Sequence, residues 1–177
     1  IKHAKDYGFE VGAPTADFNR IIQRSRDVAG KLSSGVSFLM KKNKIEVVSG
    51  TGALEKGNKL NVTDNSGKST QYDFKDIIIA TGARPRPLPG VEVDGDAIHT
   101  YRTILDYRRM PQKLLVIGAG AIGVEFAYFF SSLGAQVTLC EMLPTVLPVE
   151  DHEVSDALKK IFEKRGMVIR TGCAVSD

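Results

Sequence analysis

Apolar residues follow a helical period in the first part of the chain. Between Phe18 and Met40 they recur at spacings of three and four residues, with polar residues in the intervening positions. This spacing predicts one long amphipathic helix that ends near Lys42. Thr15 follows a proline and is the expected N-cap of this helix.

The pattern then changes to short strand-like runs. Ile45–Val48, Leu60–Thr63 and Thr70–Phe74 are separated by Gly- and Asn-containing turns, which predicts a small antiparallel β-meander. The continuous apolar run Ile77–Ala80 suits a strand buried on both faces. The proline-rich tract Arg84–Gly90 cannot form a helix interior or a central strand, so it is a candidate domain boundary.

From Lys113 onward, apolar strands alternate with amphipathic helices. A glycine follows each helix at the position that favours a helix C-terminus. Short loops between alternating strands and helices predict an α/β fold with a parallel sheet and right-handed crossovers. The predicted strands are Leu114–Ile117, Val137–Glu141 and Met167–Thr171, and the predicted helices are Ala121–Leu133 and Asp151–Arg165.

Composition and charge exclude several classes of protein. With 42% hydrophobic and 25% charged residues, the 177-residue chain has the balance of a soluble globular protein. Its net charge of +3 arises from interleaved acidic and basic residues, so neither a nucleic-acid surface nor a membrane surface is expected. The apolar runs are too short to span a bilayer, and no secretory signal is seen.

The two cysteines, Cys140 and Cys173, lie far apart in sequence and form neither a metal-ligand pattern nor a disulfide framework. Cys140 is expected to be a small buried core residue without a redox role, because no second cysteine is near it in sequence. A cytoplasmic location and the absence of a metal site are expected.

A G-x-G-x-x-G motif, Gly118–Gly123, lies between the first predicted strand of this region and its helix. That context is the one a dinucleotide-binding fingerprint requires. Gly118 would permit the tight turn, Gly120 would let a pyrophosphate approach the backbone, and Gly123 would let the helix pack closely on the strand. The helix N-terminus would add free N–H groups and a partial positive charge.

An acidic residue, Glu141, ends the next predicted strand, roughly 20 residues beyond the glycines, as the fingerprint requires. Its carboxylate would accept hydrogen bonds from the adenine ribose and would repel a 2′-phosphate, which favours NAD over NADP. The alternative is a glycine-rich turn that binds nothing.

Three motifs in this order resemble those of the flavoprotein disulfide reductases. Leu115–Glu141, with Val124-Glu125-Phe126 after the last glycine, is similar to their NAD-binding domain, and Ile77–Ala83 is similar to their second FAD motif, a strand ending in Ala-Thr-Gly. Leu147–Asp151 resembles the dihydrolipoamide dehydrogenase branch. The resemblance covers nearly the whole chain.

The resemblance implies two sets of cofactor-binding residues. The NAD set is Gly118, Gly120, Ala121, Ile122, Gly123, Glu125 and Glu141. The FAD set is Ala80, Thr81 and Gly82 at the pyrophosphate, and Gly52 beside the adenine. Glu125 could instead be an ordinary exposed residue of the first helical turns, and the segment 50–52 could be a plain turn.

Several parts of such an enzyme are not found in the sequence: the first FAD fingerprint, the C-x-x-x-x-C redox disulfide, the later Gly-Asp motif and the C-terminal dimerisation domain with its catalytic His–Glu pair. The resemblance therefore implies an internal part of a longer enzyme. Residues 1–110 would form a partial FAD-binding domain and residues 111–177 a truncated NAD-binding domain. No catalytic residue is predicted within the chain.

The implied activity belongs to the whole enzyme, which passes electrons from dihydrolipoamide through a redox disulfide and flavin to NAD+. Its implied partners are the lipoyl-bearing acyltransferase of a 2-oxo acid dehydrogenase complex and a second copy of the same enzyme. The chain by itself is expected to be inactive. Two alternatives remain: a related NADH-linked flavoprotein of the NADH oxidase or peroxidase type, and a stand-alone NAD-binding module without catalysis.

Overall fold

The computed structural model describes residues 4–12 and 14–174, which belong to two compact units. One unit combines the stretch up to Gln23 with the chain from Val93 onward, and the other is Arg24–Glu92. These units reflect packing within the chain. The predicted division into cofactor domains at residue 110 is a different kind of boundary and stays a prediction.

The long helix α1 spans Phe18–Lys42 and confirms the predicted amphipathic helix. It begins later than expected, because the carboxylate of Asp17 accepts a hydrogen bond from the backbone N–H of Arg20 at 3.1 Å. Asp17 thereby satisfies one of the free N–H groups of the first turn, and the prediction of Thr15 as N-cap is wrong. A 3-10 turn, Ala4–Tyr7, precedes the helix.

The β-meander consists of β1 (Thr51–Glu55), β2 (Lys59–Thr63) and β3 (Ser69–Asp73), paired antiparallel in that order. The last two strands match the predicted runs, but the first does not fall at Ile45–Val48. Left-handed Gly57 and Asn58, with φ of +81° and +57°, reverse the chain so that Glu55 faces Lys59. Pairing that continues outward from this turn places the first strand at residues 51–55. The register of the hairpin therefore determines which residues form β1.

The apolar run Ile77–Ala80 was wrongly predicted as a buried strand. Within the described residues no strand pairs with it, and Ile78 is 91% exposed. The composition of the run suits a strand, but a strand needs a hydrogen-bonded neighbour, which the meander does not supply.

The unit that contains the glycine motif has a three-stranded parallel sheet. Its strands β4 (Lys113–Ile117), β5 (Gln136–Cys140) and β6 (Val168–Arg170) lie in sequence order. Helix α3 (Ala121–Ser132) connects the first pair and α4 (His152–Lys164) the second, while the short helix α2 (Tyr101–Ile104) precedes the sheet. The predicted α/β fold is confirmed.

One face of this sheet carries the core. Since the strand order advances in one direction, right-handed crossovers bring both helices to the same face. There, Val137 and Leu139 pack with Phe130 of α3 and Phe162 of α4. The ring of Phe18 joins them, 6.0 Å from the ring of Phe130.

Side chains alternate along each strand, so the other face of the sheet carries a second set of residues. Among the described residues it is largely open, with Leu115 54%, Ile117 46% and Val168 46% exposed. This sheet is therefore a two-layer unit in which the apolar residues of one face meet helices and those of the other meet solvent.

Candidate functional site

The glycine loop joins the end of β4 to the start of α3. Gly118 has φ of +100°, a backbone conformation that residues with a Cβ adopt only with strain. Its N–H donates to the carbonyl oxygen of Cys140 at 2.8 Å, which extends the ladder between β4 and β5 by one bond. The predicted tight turn at Gly118 is therefore present.

Two further glycines of the motif differ in how much space surrounds them. A Cβ on Gly123 would collide with the carbonyl oxygen of Gly118 and would lie 3.5 Å from a methyl carbon of Val116. A Cβ on Gly120 would meet nothing within 4 Å among the described residues. Gly123 thus permits close packing of the helix on the strand, and Gly120 leaves open space at the helix N-terminus.

The N-terminus of α3 has free backbone donors. Gly120 is the N-cap residue, with φ −72° and ψ 179°, and no side chain caps this end of the helix. The first helical hydrogen bond runs from the N–H of Val124 to the carbonyl of Gly120 at 3.0 Å. The N–H groups of Ala121 and Ile122 precede that bond and have no acceptor within the helix. Both residues are exposed, so an anion can reach these N–H groups.

Glu141 lies directly after β5, and its two carboxylate oxygens bind different parts of the backbone. Oε2 accepts from the N–H of Ala119 in the glycine loop at 2.7 Å, and Oε1 accepts from the N–H of Leu143 at 2.9 Å. Each oxygen keeps a further lone pair, so hydrogen bonds from a ribose remain feasible. The carboxylate ties the glycine loop to the end of β5, a structural role that the fingerprint did not predict.

A second contact holds the same loop from the other side. The carbonyl of Ala119 accepts from the N–H of Leu147 at 2.8 Å, and Leu147 has a left-handed φ of +47°. The hydroxyl of Ser155 donates to the carbonyl of Leu147 at 3.2 Å. Ala119 is fully buried and Ser155 is 1% exposed, so the two ends of this chain of bonds are shielded from water.

Sequence reasoning missed Ala119, Leu147 and Ser155. A signal for Ser155 was present, since it precedes Leu158 and Phe162 at helical spacing and places a hydroxyl on the apolar face of α4. A polar residue in that position needs a buried partner, which is the loop carbonyl. For Leu147 the sequence holds no comparable signal.

The prediction that Cys140 is a small buried core residue is wrong, because its burial is only partial. Cys173 lies beside it, since the thiol of Cys173 donates to the carbonyl of Arg170, the residue that pairs with Cys140. Burial and the neighbouring Cys173 thiol both raise the pKa of Cys140. The two cysteines are far apart in sequence but meet in space because β5 and β6 are adjacent in the sheet.

The remaining candidates lie on exposed surfaces. Glu125 is exposed on α3, whereas Thr81 and Gly82 are exposed beyond the run Ile77–Ala80, and Ala80 ends that run. Gly52 lies within β1 opposite Val62, so the alternative of a plain turn at residue 52 is wrong. A Cβ on Gly52 would approach a methyl carbon of Leu60 to 3.2 Å, and glycine relieves that crowding.

Over residues 4–12 and 14–174, no group of three or more His, Cys, Asp or Glu side chains is arranged to hold a metal ion. In the same part of the chain, no helix has the length and apolar character needed to cross a membrane.

Comparison with known proteins gives consistent matches. A family profile described as pyridine nucleotide-disulphide oxidoreductase matches residues 5–177. Dihydrolipoyl dehydrogenase from Zymomonas mobilis is 48% identical over 100% of this chain and 38% of its own length. Dihydrolipoyl dehydrogenase from Rhizobium etli is 43% identical over 98% of this chain and 39% of its own length. The chain thus spans about two fifths of the curated relatives it matches.

Solved structures agree with the family match. LpdA from Mycobacterium tuberculosis superposes with a TM-score of 0.88 at 26% identity, covering 99% of this chain and 39% of LpdA. The HOCl-induced flavoprotein disulfide reductase RclA from Escherichia coli superposes with a TM-score of 0.73 at 26% identity, covering 91% of this chain and 37% of RclA.

Proposed function

The chain belongs to the pyridine nucleotide-disulphide oxidoreductase family, and on that premise we propose that it carries the NAD site of a dihydrolipoamide dehydrogenase. The whole enzyme would pass electrons from dihydrolipoamide through a redox disulfide and flavin to NAD+. The chain's own share is to bind and orient the dinucleotide beside the flavin.

The glycine loop carries this proposal. The pyrophosphate would occupy the open space beside Gly120 and accept hydrogen bonds from the free N–H groups at the start of α3. The N–H of Ala119 donates to the Glu141 carboxylate and its carbonyl accepts from Leu147, and these two bonds hold the loop in place before any nucleotide binds. A preformed loop lowers the ordering cost of binding.

Two carboxylates would define the rest of the NAD site. The spare lone pairs of Glu141 would accept the ribose hydroxyls, and its negative charge would disfavour the 2′-phosphate of NADP. Glu125, exposed on α3, would lie near the nicotinamide, where it can pair with a lysine beside the flavin. When bound, the nicotinamide supplies the hydride-accepting carbon.

We assign the first part of the chain, residues 1–110, to the FAD-binding domain and residues 111–177 to the NAD-binding domain. Ala80, Thr81 and Gly82 would lie at the FAD pyrophosphate, and Gly52 beside the adenine. The exposed run Ile77–Ile79 supports this assignment, because so apolar a segment is stable in water only when it is covered. The covering strands would belong to the remainder of the FAD domain.

The 48% identity to a dihydrolipoyl dehydrogenase supports the assignment of substrate. We infer a cytoplasmic homodimer that serves the lipoyl-bearing acyltransferase of a 2-oxo acid dehydrogenase complex.

Fluorescence titration with NADH and NADPH tests the nucleotide site. We expect NADH to bind and NADPH to bind at least about tenfold more weakly, equivalent to 1.4 kcal/mol. Gly120→Ala should weaken NADH binding by a similar factor while the circular dichroism spectrum is retained, since its Cβ enters the space of the phosphate. Equal affinity for both nucleotides, or an unaffected Gly120→Ala variant, would contradict the site.

A second candidate is an NADH oxidase or peroxidase of the same family. It would share the preference for NAD that Glu141 favours. Activity of the complete enzyme separates the two. Reduction of NAD+ by dihydrolipoamide supports the first proposal, whereas NADH consumption that requires only oxygen or peroxide supports the second.

A further inference from the structure

Two cysteines meet at the carboxyl ends of neighbouring strands. Cys140 is the last residue of β5 and is paired with Arg170, the last residue of β6. Cys173 follows in the next loop, where its backbone N–H donates to the carbonyl of Glu141 at 3.1 Å. The thiol of Cys173 donates to the carbonyl oxygen of Arg170 at 3.5 Å and to that of Glu141 at 3.8 Å. It therefore lies beside Cys140, which precedes Glu141 and pairs with Arg170.

We propose that Cys140 and Cys173 form a redox-active thiol pair. A small disulfide such as glutathione disulfide oxidises this modification site to an intramolecular disulfide.

The geometry favours closure over modification of each thiol separately. A disulfide requires the two Cα atoms to lie about 4.4–6.8 Å apart. The backbone bond from Cys173 to Glu141 and the pairing of Cys140 with Arg170 bring the two cysteines together at the same edge of the sheet. The backbone is held on both sides of Cys173, because Gly172 also donates to the carbonyl of Leu143 at 2.9 Å. Both cysteines are only partly buried, so an oxidant can reach them.

The reaction proceeds as two exchanges. Burial and the adjacent thiol raise the pKa of Cys140, so Cys140 is a poor first nucleophile. Cys173 therefore attacks the oxidant, forms a mixed disulfide and releases one glutathione. Cys140 then loses its proton, attacks the sulfur of Cys173 and releases the second glutathione. The protein loses two electrons and two protons, and the oxidant is reduced to two thiols.

Peptide mapping tests the pair in the purified native protein, and it locates the bond whatever other cysteines are present. After treatment with glutathione disulfide and blocking of free thiols, tryptic digestion separates the peptide Leu114–Lys159 from the peptide that begins at Thr171. We expect these two peptides to be joined, one bond per chain, and to separate on reduction.

Two controls complete the experiment. In Cys140→Ser and Cys173→Ser, the remaining cysteine should carry glutathione instead of a cross-link. Cross-linking should be at least about tenfold slower in urea, because only the fold holds the thiols together. Native protein with glutathione on both cysteines and no joined peptides would overturn the proposal, as would a cross-link that forms equally fast after unfolding.

Discussion

Replacement of Gly123 by alanine should destabilise the protein, because the added Cβ would collide with the carbonyl oxygen of Gly118. The obstacle is backbone and cannot rotate away, so α3 must move off β4. Overpacking of this kind costs about 1–3 kcal/mol, and a rigid obstacle places the cost near the upper end. The higher helix propensity of alanine offsets up to about 1 kcal/mol of this cost. The net loss should be about 2 kcal/mol.

Urea unfolding and thermal scans measure this loss. In a protein of this size, 1 kcal/mol lowers the melting temperature by roughly 2–4 °C, so Gly123→Ala should melt about 4–8 °C below the parent. The urea midpoint should fall while the dependence of the free energy of unfolding on urea stays the same. The comparison should be made without nucleotide, so that altered binding does not contribute.

Gly30→Ala is the matched control. Gly30 lies in the exposed interior of α1, and a Cβ there would meet nothing within 4 Å among the described residues. Alanine should therefore stabilise by about 0.5–1 kcal/mol through helix propensity alone. The same chemical change thus has opposite signs at the two positions. A Gly123→Ala protein as stable as the parent would refute the packing argument.

The remaining predictions concern the bonds that hold the glycine loop and the core beneath it. Glu141→Ala should destabilise the protein by about 1–3 kcal/mol in urea unfolding, because it leaves the N–H of buried Ala119 without its acceptor; unchanged stability would mean that this bond contributes nothing to the fold. Ser155→Ala should cost about 1 kcal/mol in the same assay, since it removes the hydroxyl bonded to the carbonyl of Leu147, and no loss would show that this bond is energetically neutral. Phe130→Ala should cost about 3–5 kcal/mol, because the ring is 1% exposed at the centre of the core, and a cost below that of Ser155→Ala would contradict this view of the core.

Local signals were enough for the strands and helices around the glycine motif. The strand before Gly118, the helix after it and the following strand each carry their own periodicity and terminating residues, and all three lie within two residues of the predicted bounds. Gly123 was assigned a packing role from its place in the motif alone. The collision that a Cβ would make there supports that role.

Two of the predictions that failed concern segments with the composition of a strand. Ile45–Val48 has the composition of a strand, but the turn at Gly57 and Asn58 set the pairing and moved the first strand to Thr51–Glu55. Ile77–Ala80 has the composition of a buried strand and yet has no strand beside it in the described part of the chain. The composition of a segment indicates whether it can be buried, whereas strand pairing depends on which other strand the fold places beside it.

The sequence by itself determined the strands and helices on either side of the glycine loop, the loop itself and the acidic residue that follows β5, because each depends on neighbours a few residues away. Only the tertiary structure decided that Glu141 ties the loop to β5, that Ser155 supports it through Leu147, and that Cys140 and Cys173 are neighbours. These contacts join residues brought together by the parallel sheet. Their energies arise from burial and hydrogen-bond geometry, which no local pattern of residues encodes.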